Sequence, residues 1–181
     1  MVVGMNQNVL ALSQADVEPG SGAVGVWLNR ADSTGVVTLT SRDPRISARV
    51  SERMLSEESD VERMEVGARL LADMLDSAAL KDICVKNPQD VNRHFIDAVE
   101  ADGGEIRDLL LRSVADAQHG TSTCRMGAAD ADNVVVDPEC RVLGVTALSV
   151  VDASILPFVP GANTNLVSIM IGEVMGDRIG R

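Results

Sequence analysis

From His119 to Arg181 the chain sets down one histidine, a short turn flanked by Gly120 and Gly127, an apolar run ending on Asp152, and two asparagines, Asn163 and Asn165, where a final helix should begin. This order constrains the fold more than any other feature. The run Ala147–Val151 lacks the apolar–polar alternation of a half-buried strand, which suits a strand covered on both faces. Covering it takes more layers than a chain of 181 residues supplies by itself. Convergence of the three elements would bring a titratable base, an acidic strand end and a helix N-terminus within reach of one ligand.

Composition removes several function classes. With a net charge of −11 and only three aromatic residues (Trp27, Phe95, Phe158), the chain lacks the positive footprint and the stacking platforms of a nucleic-acid binder. A hydrophobic content of 45% and a charged content of 24% are globular values. The length fits one ordinary domain, or one plus part of another. Cys84, Cys124 and Cys140 form neither a disulfide framework nor a Cys-x-x-Cys pair, and no metal site is expected. No apolar stretch approaches the roughly 20 residues of a membrane-spanning helix. The first residues have no charged segment followed by a sustained apolar one, so a cytoplasmic location is expected.

Along the chain, Val9–Leu12 is a short apolar run, and Asp16–Gly22 is a loop with Pro19 and Gly20 as its turn signal. Ala23–Arg30 and Gly35–Ser41 read as two strands of a hairpin, while residues 45–55 show no period. Ser59 and Glu62 have capping-box spacing ahead of Val61, Met64, Ala68, Leu71 and Leu75, which predicts an amphipathic helix over 60–79. A second helix should follow Pro88 and stop at Gly103-Gly104, and a third should span Glu105–Ser113. Val134–Val136 and Ala147–Val151 are β-rich, and Leu166–Ile179 should be helical with Asn163 or Thr164 as its cap. Strands and helices mix without βαβ alternation, which favours an α+β fold.

Gly20-Ser-Gly22-Ala-Val-Gly25 matches Gly-x-Gly-x-x-Gly literally. That motif binds a pyrophosphate only between a strand and a helix, and here a proline and an acidic loop precede it while Val-Trp-Leu follows. We read it as a loop entering a strand. The chain then has no site for the ADP half of a dinucleotide.

His119 is one of two histidines, and small residues surround it. Alone, a histidine just past a helix is more readily a cap or a surface residue. An imidazole can also accept a hydroxyl proton while a hydride leaves the same carbon. His94 fits a solvated helix face. Asn163 and Asn165 suit N-capping, and the same helix N-terminus favours an anionic ligand. Asp152 at a strand end is a common turn former. Cys124 has no cation cluster beside it and reads as a buried structural thiol. For Arg141, an ion pair and a ligand contact remain equally open.

Residues 119–127, 141–145, 150–157 and 163–165 resemble, in order, the patterns H-x-x-G-T-C-x-M-G, R-V-x-G-V, V-x-D-[AG]-S-x-x-P and N-x-N. These are the C-terminal signature of the glucose–methanol–choline (GMC) family of flavin-dependent alcohol oxidoreductases. Residues 35–44 resemble that family's G-x-V-x-L-x-S-x-D-P, and Ser122 stands where the first pattern has glycine. The resemblance implies a mixed or antiparallel sheet with flanking helices. Residues 1–118 would be a substrate-domain portion. Residues 119–181 would hold the catalytic motif and a segment that returns, from about 134, to complete a flavin-binding α/β domain. It implies His119 as the base in oxidation of an alcohol or sugar hydroxyl, with hydride passing to the flavin N5 of FAD. Asn163 would pair with His119 on the substrate oxygen, and Asp152, Ala153 and Asn165 would lie against the FAD. The nucleotide-binding half of the family is missing, so the expected partner is a separate polypeptide that carries it, in a hetero-oligomer. A non-catalytic scaffold and a redox-neutral lyase on the same fold are the alternatives.

Overall fold

The computed structural model describes residues 1–5, 22–101 and 103–179. The apolar run Val9–Leu12 and nearly all of the Asp16–Gly22 loop lie outside them. The fold is α+β: helices with small antiparallel sheets. The chain divides into two compact units, Met1–Leu28 with Met54–Val114, and Asn29–Arg53 with Ala115–Arg181. No helix among the described residues is long and apolar enough to cross a membrane.

In the first unit, β1 (Val2–Met5) pairs antiparallel with β2 (Ala23–Val26). The strand that follows Gly22 is β2, so the glycine pattern does lead into a strand and not a helix. Helix α1 (Glu58–Asp76) packs on β2 through a close approach at Gly67, where an added Cβ would sit 2.4 Å from the Val26 side chain. Short helices α2 (Ala78–Ile83) and α3 (Pro88–Val91) lead to α4 (Arg93–Glu100) and α5 (Glu105–Ser113). Val61, Ala68 and Leu75 of α1, Ile96 and Ala98 of α4 and Ile106 of α5 are its buried apolar residues. The Arg69 guanidinium donates to the Val99 carbonyl (3.2 Å), and Arg107 of α5 pairs with Glu58 of α1.

Several sequence expectations need correction here. The Ser59 capping box does not form: α1 begins at Glu58, putting Ser59 inside the first turn, and no side chain caps it. Its first turn instead holds the buried Asp60, ion-paired with Arg63. The helix expected to reach residue 79 breaks at Ser77, whose hydroxyl caps α2 by accepting from the Leu80 N–H. The helix after Pro88 is interrupted at Asn92, where φ −112° and ψ 26° leave the helical range.

The hairpin expected between Ala23–Arg30 and Gly35–Ser41 is also absent. β2 takes β1 as its partner, while β3 (Val36–Thr38) pairs with β4 (Arg49–Ser51), a strand in the stretch that showed no period. Gly35 allows that second pairing, because a Cβ there would stand 2.4 Å from the Ser51 carbonyl oxygen.

The second unit holds the β3–β4 pair, turns joined by single bridges, and helix α6 (Asn165–Ile179). The expected strands at Val134–Val136 and Ala147–Val151 reduce to bridges: Val136 with both Met126 and Val142, and Arg141 with Ser149. Positive φ at Asn133 (59°), Cys140 (63°) and Ala147 (60°) turns the chain before either run extends. The strand expected at Ala147–Val151 therefore does not form, and Leu148 is exposed in this chain. Val136, Cys140, Ile155, Ile171 and Met175 are buried together as the core of this unit.

Candidate functional site

The His119 loop is fastened main chain to main chain. The N–H groups of Ser122, Cys124 and Met126 donate to the carbonyls of Ala153 (3.5 Å), Ser154 (2.9 Å) and Ile155 (2.8 Å) in turn. On its other side the Arg125 carbonyl accepts from Val135 N–H (2.8 Å), and Gly127 N–H donates to Val136 (3.1 Å). Ile155 and Val136 are core residues, so the loop inherits the rigidity of the core. Ser122, standing at the glycine of the pattern, holds φ 67°. A non-glycine residue pays roughly 1–2 kcal/mol for that conformation.

Residues 152–155 form one tight helical turn, Ala153–Ile155, capped by Asp152. The Asp152 carboxylate accepts from the Ser154 N–H (2.8 Å) and hydroxyl, so its turn-forming role is realised and its side chain stays exposed. Ala153 is half-buried beside it.

Asn163 and Thr164 precede α6 and both reach the His119 ring. Asn163 Nδ2 lies 3.0 Å from Nε2, and Thr164 Oγ1 lies 3.1 Å from Nδ1. The Asn163 amide is oriented by its other end, because Oδ1 accepts the Asn165 N–H (3.0 Å), a group that can only donate. Nδ2 therefore faces the ring as donor, and Nε2 is the accepting nitrogen. Asn163 is exposed, while His119 and Thr164 are half-buried. Thr164 also accepts the Ser168 N–H (3.0 Å) at its carbonyl, starting the helix.

The structure thus unites His119 with Asn163 and places Asn165 on the same helix start; Asp152 and Ala153 stand in the turn that holds the His119 loop. Sequence reasoning missed the ring contact of Thr164, whose only signal was its position between two cap-forming asparagines. It also missed Asp137. That carboxylate accepts the N–H groups of Glu139 and Arg141 (2.9 Å each) and the Arg141 Nε (2.8 Å), folding the turn that buries Cys140. Arg141 also pairs with Glu139 (3.1 Å), so its ion-pair reading holds. Burial, with Asp137 adding negative charge, pushes the Cys140 thiol up, in keeping with a structural thiol. Cys124, expected to be buried, is half-exposed.

The Arg141 backbone N–H, with the Arg141 side chain assisting, holds the Asp137 carboxyl below the ordinary aspartate range. A depressed folded-state value gives stability that is complete above about pH 4 and is lost as pH falls through the lowered value. Asp137→Asn should therefore flatten the acid limb of the stability curve, as followed by amide exchange in the 137–141 turn. An unchanged acid limb would remove Asp137 from that role.

The family model for the C-terminal portion of the GMC oxidoreductases matches residues 31–172. A 5-(hydroxymethyl)furfural oxidase of a Methylovorus species is 34% identical over 91% of this chain and 32% of its own length. An oxygen-dependent choline dehydrogenase of Brucella ovis is 37% identical over 83% of this chain and 26% of its own length. Among solved structures, a variant formate oxidase of Aspergillus oryzae superposes with a TM-score of 0.64 at 27% identity, covering 80% of this chain and 24% of that one. An FAD-dependent oxidoreductase of Chaetomium thermophilum shares the fold, with a TM-score of 0.71 at 21% identity over 88% of this chain and 26% of that one. The chain spans about a quarter to a third of the length of these relatives.

Proposed function

The chain belongs to the GMC oxidoreductases as a C-terminal domain of that family, and from that premise we propose that it supplies the catalytic base, and part of the flavin-ring site, for FAD-dependent oxidation of a small alcohol. The observation that carries this reading is the Asn163–His119 pair, with Nε2 as the accepting nitrogen 3.0 Å from an amide donor. A scaffold has no need of an imidazole engaged at both ring nitrogens.

FAD, when bound, supplies the hydride acceptor. The described residues fit the ring end of such a group and not its phosphates. The α6 N-terminus and Asn165 stand at the site and favour negative charge on a reduced ring. The small side chain of Ala153 leaves room beside the Asp152 turn for close approach. No strand–glycine turn–helix unit occurs among the described residues, since β2 follows the glycine pattern.

His119 Nε2 takes the substrate hydroxyl proton. As it does so, Asn163 Nδ2 transfers its donation from Nε2 to the substrate oxygen, holding that oxygen in place. Asn163 is neutral and cannot replace His119 as base. Residues 1–118 contribute a substrate-domain portion, and 119–181 the catalytic motif and the returning segment.

An FAD-binding half of the family packs against this chain. Helix α6 supports this: Leu166, Ile169, Met170, Val174 and Ile179 are exposed although Ile171 and Met175 already serve the core. A helix apolar on more than one side belongs in the interior of a larger assembly. Beside it runs a cleft of about 220 Å³, lined by Met126, Pro138, Leu156, Pro157, Met170 and Val174 among others.

Co-expression with a GMC FAD-binding half tests the reading. The chain alone should be colourless, and the complex should hold stoichiometric FAD that bleaches on anaerobic addition of an alcohol. A yellow, monomeric preparation of the chain alone would overturn the partner requirement. A flavin-loaded complex that no alcohol reduces would overturn the oxidation.

A further inference from the structure

The ring contact at Thr164 has a consequence for which nitrogen of His119 carries the proton. Three hydrogen bonds form a chain with a single self-consistent direction. The Asn165 N–H donates to Asn163 Oδ1 (3.0 Å), which turns Nδ2 toward the ring. Asn163 Nδ2 donates to His119 Nε2 (3.0 Å), which must then offer a lone pair. In a neutral imidazole the other nitrogen holds the proton, so Nδ1–H donates to Thr164 Oγ1 (3.1 Å). The reverse arrangement, with Thr164 donating to Nδ1, leaves an N–H of the ring facing an N–H of Asn163.

We infer that Thr164 is a positioning residue which holds His119 as its Nδ1–H tautomer, leaving a lone pair and not a proton on Nε2. This deepens the alcohol-oxidation reading and rests on it for its purpose, but not for its measurement. The arrangement is economical in sequence, because Asn163, Thr164 and Asn165 are consecutive and all three are fixed by the start of α6. The Thr164 carbonyl accepts both the N–H (3.0 Å) and the hydroxyl (2.8 Å) of Ser168, which anchors the residue whose hydroxyl meets the ring. Thr164 meets the ring at Nδ1, the nitrogen opposite the one that takes the proton. It acts through His119.

Long-range proton–nitrogen correlation spectra of the full chain, with ¹⁵N-labelled histidine, report the tautomer directly. His94, exposed on α4, is assigned by a His94→Gln variant. At a pH where the ring is neutral, His119 should be chiefly Nδ1–H. Thr164→Val keeps the side-chain shape and deletes the acceptor, and should move the tautomer ratio toward Nε2–H about fivefold, the equilibrium value of one net hydrogen bond. Thr164→Ser should restore the wild-type ratio. A wild-type ring found chiefly as Nε2–H overturns the inference, and so does a ratio unchanged in a folded Thr164→Val. Should Thr164→Val fail to fold, the wild-type and Thr164→Ser spectra still decide. None of these spectra needs FAD, so an alcohol that fails to reduce a reconstituted complex would leave the tautomer result standing.

Discussion

His119→Ala, in the complex with an FAD-binding half, should slow alcohol-driven flavin reduction about 10²–10⁴-fold, the usual range for a lost general base. FAD content should change little, because His119 is only half-buried and its loop is held by backbone bonds at Ser122, Cys124 and Met126. Asn163→Ala should cost less, since it removes orientation and one hydrogen bond but leaves the proton acceptor. Rapid-mixing reduction kinetics at several pH values separate the two. If His119→Ala reduces its flavin at the wild-type rate, the base lies elsewhere and His119 is a structural residue.

Ile155→Ala should lower the stability of the second unit by about 2–5 kcal/mol, the range for truncating a buried isoleucine. Ile155 is 4% exposed and packs with Val136, Cys140, Ile171 and Met175. Its carbonyl also receives the Met126 N–H at 2.8 Å, so a cavity there loosens the turn that holds the His119 loop. Faster hydrogen exchange should therefore appear at Cys124 and Met126 together with the loss of stability. Trp27 belongs to the first unit and is a poor probe of this change, so chemical denaturation is best followed by residue-resolved NMR. Unchanged exchange at Met126 would mean that the loop is held by something other than this core.

The helices and the catalytic segment were the legible parts of the sequence. α5 spans the expected Glu105–Ser113, and α6 begins within a residue of its expected start, because a local signal stands ahead of each: Gly103 and Gly104 before α5, Asn163 and Thr164 before α6. The meeting of His119 with Asn163 was legible because the motifs that carry them follow one another in a fixed order, although 44 residues separate the two.

Strands were another matter. The apolar runs at 134–136 and 147–151 satisfied β composition, but whether such a run extends depends on turns at single residues, and Asn133, Cys140 and Ala147 adopt positive φ without being glycine. β1 and β2 pair across a long insertion, and β4 lies in a stretch with no period, so neither pairing had a local sign. Ser59 failed as a cap because spacing alone does not say which residue begins the helix. Thr164 escaped notice because a hydroxyl at a helix start already has an ordinary job.

The attachment of the His119 loop through a ladder of N–H and carbonyl groups makes the geometry of the base depend less on the side chains around it. Residue 124 can be varied in a library while the backbone bonds that hold the loop are kept, whereas Met126 packs on the core and Ser122 holds a positive φ. One amino acid is barred from that freedom. Proline at 124 or 126 would delete a donor from the ladder and would uncouple the base from its core without touching a single reactive atom.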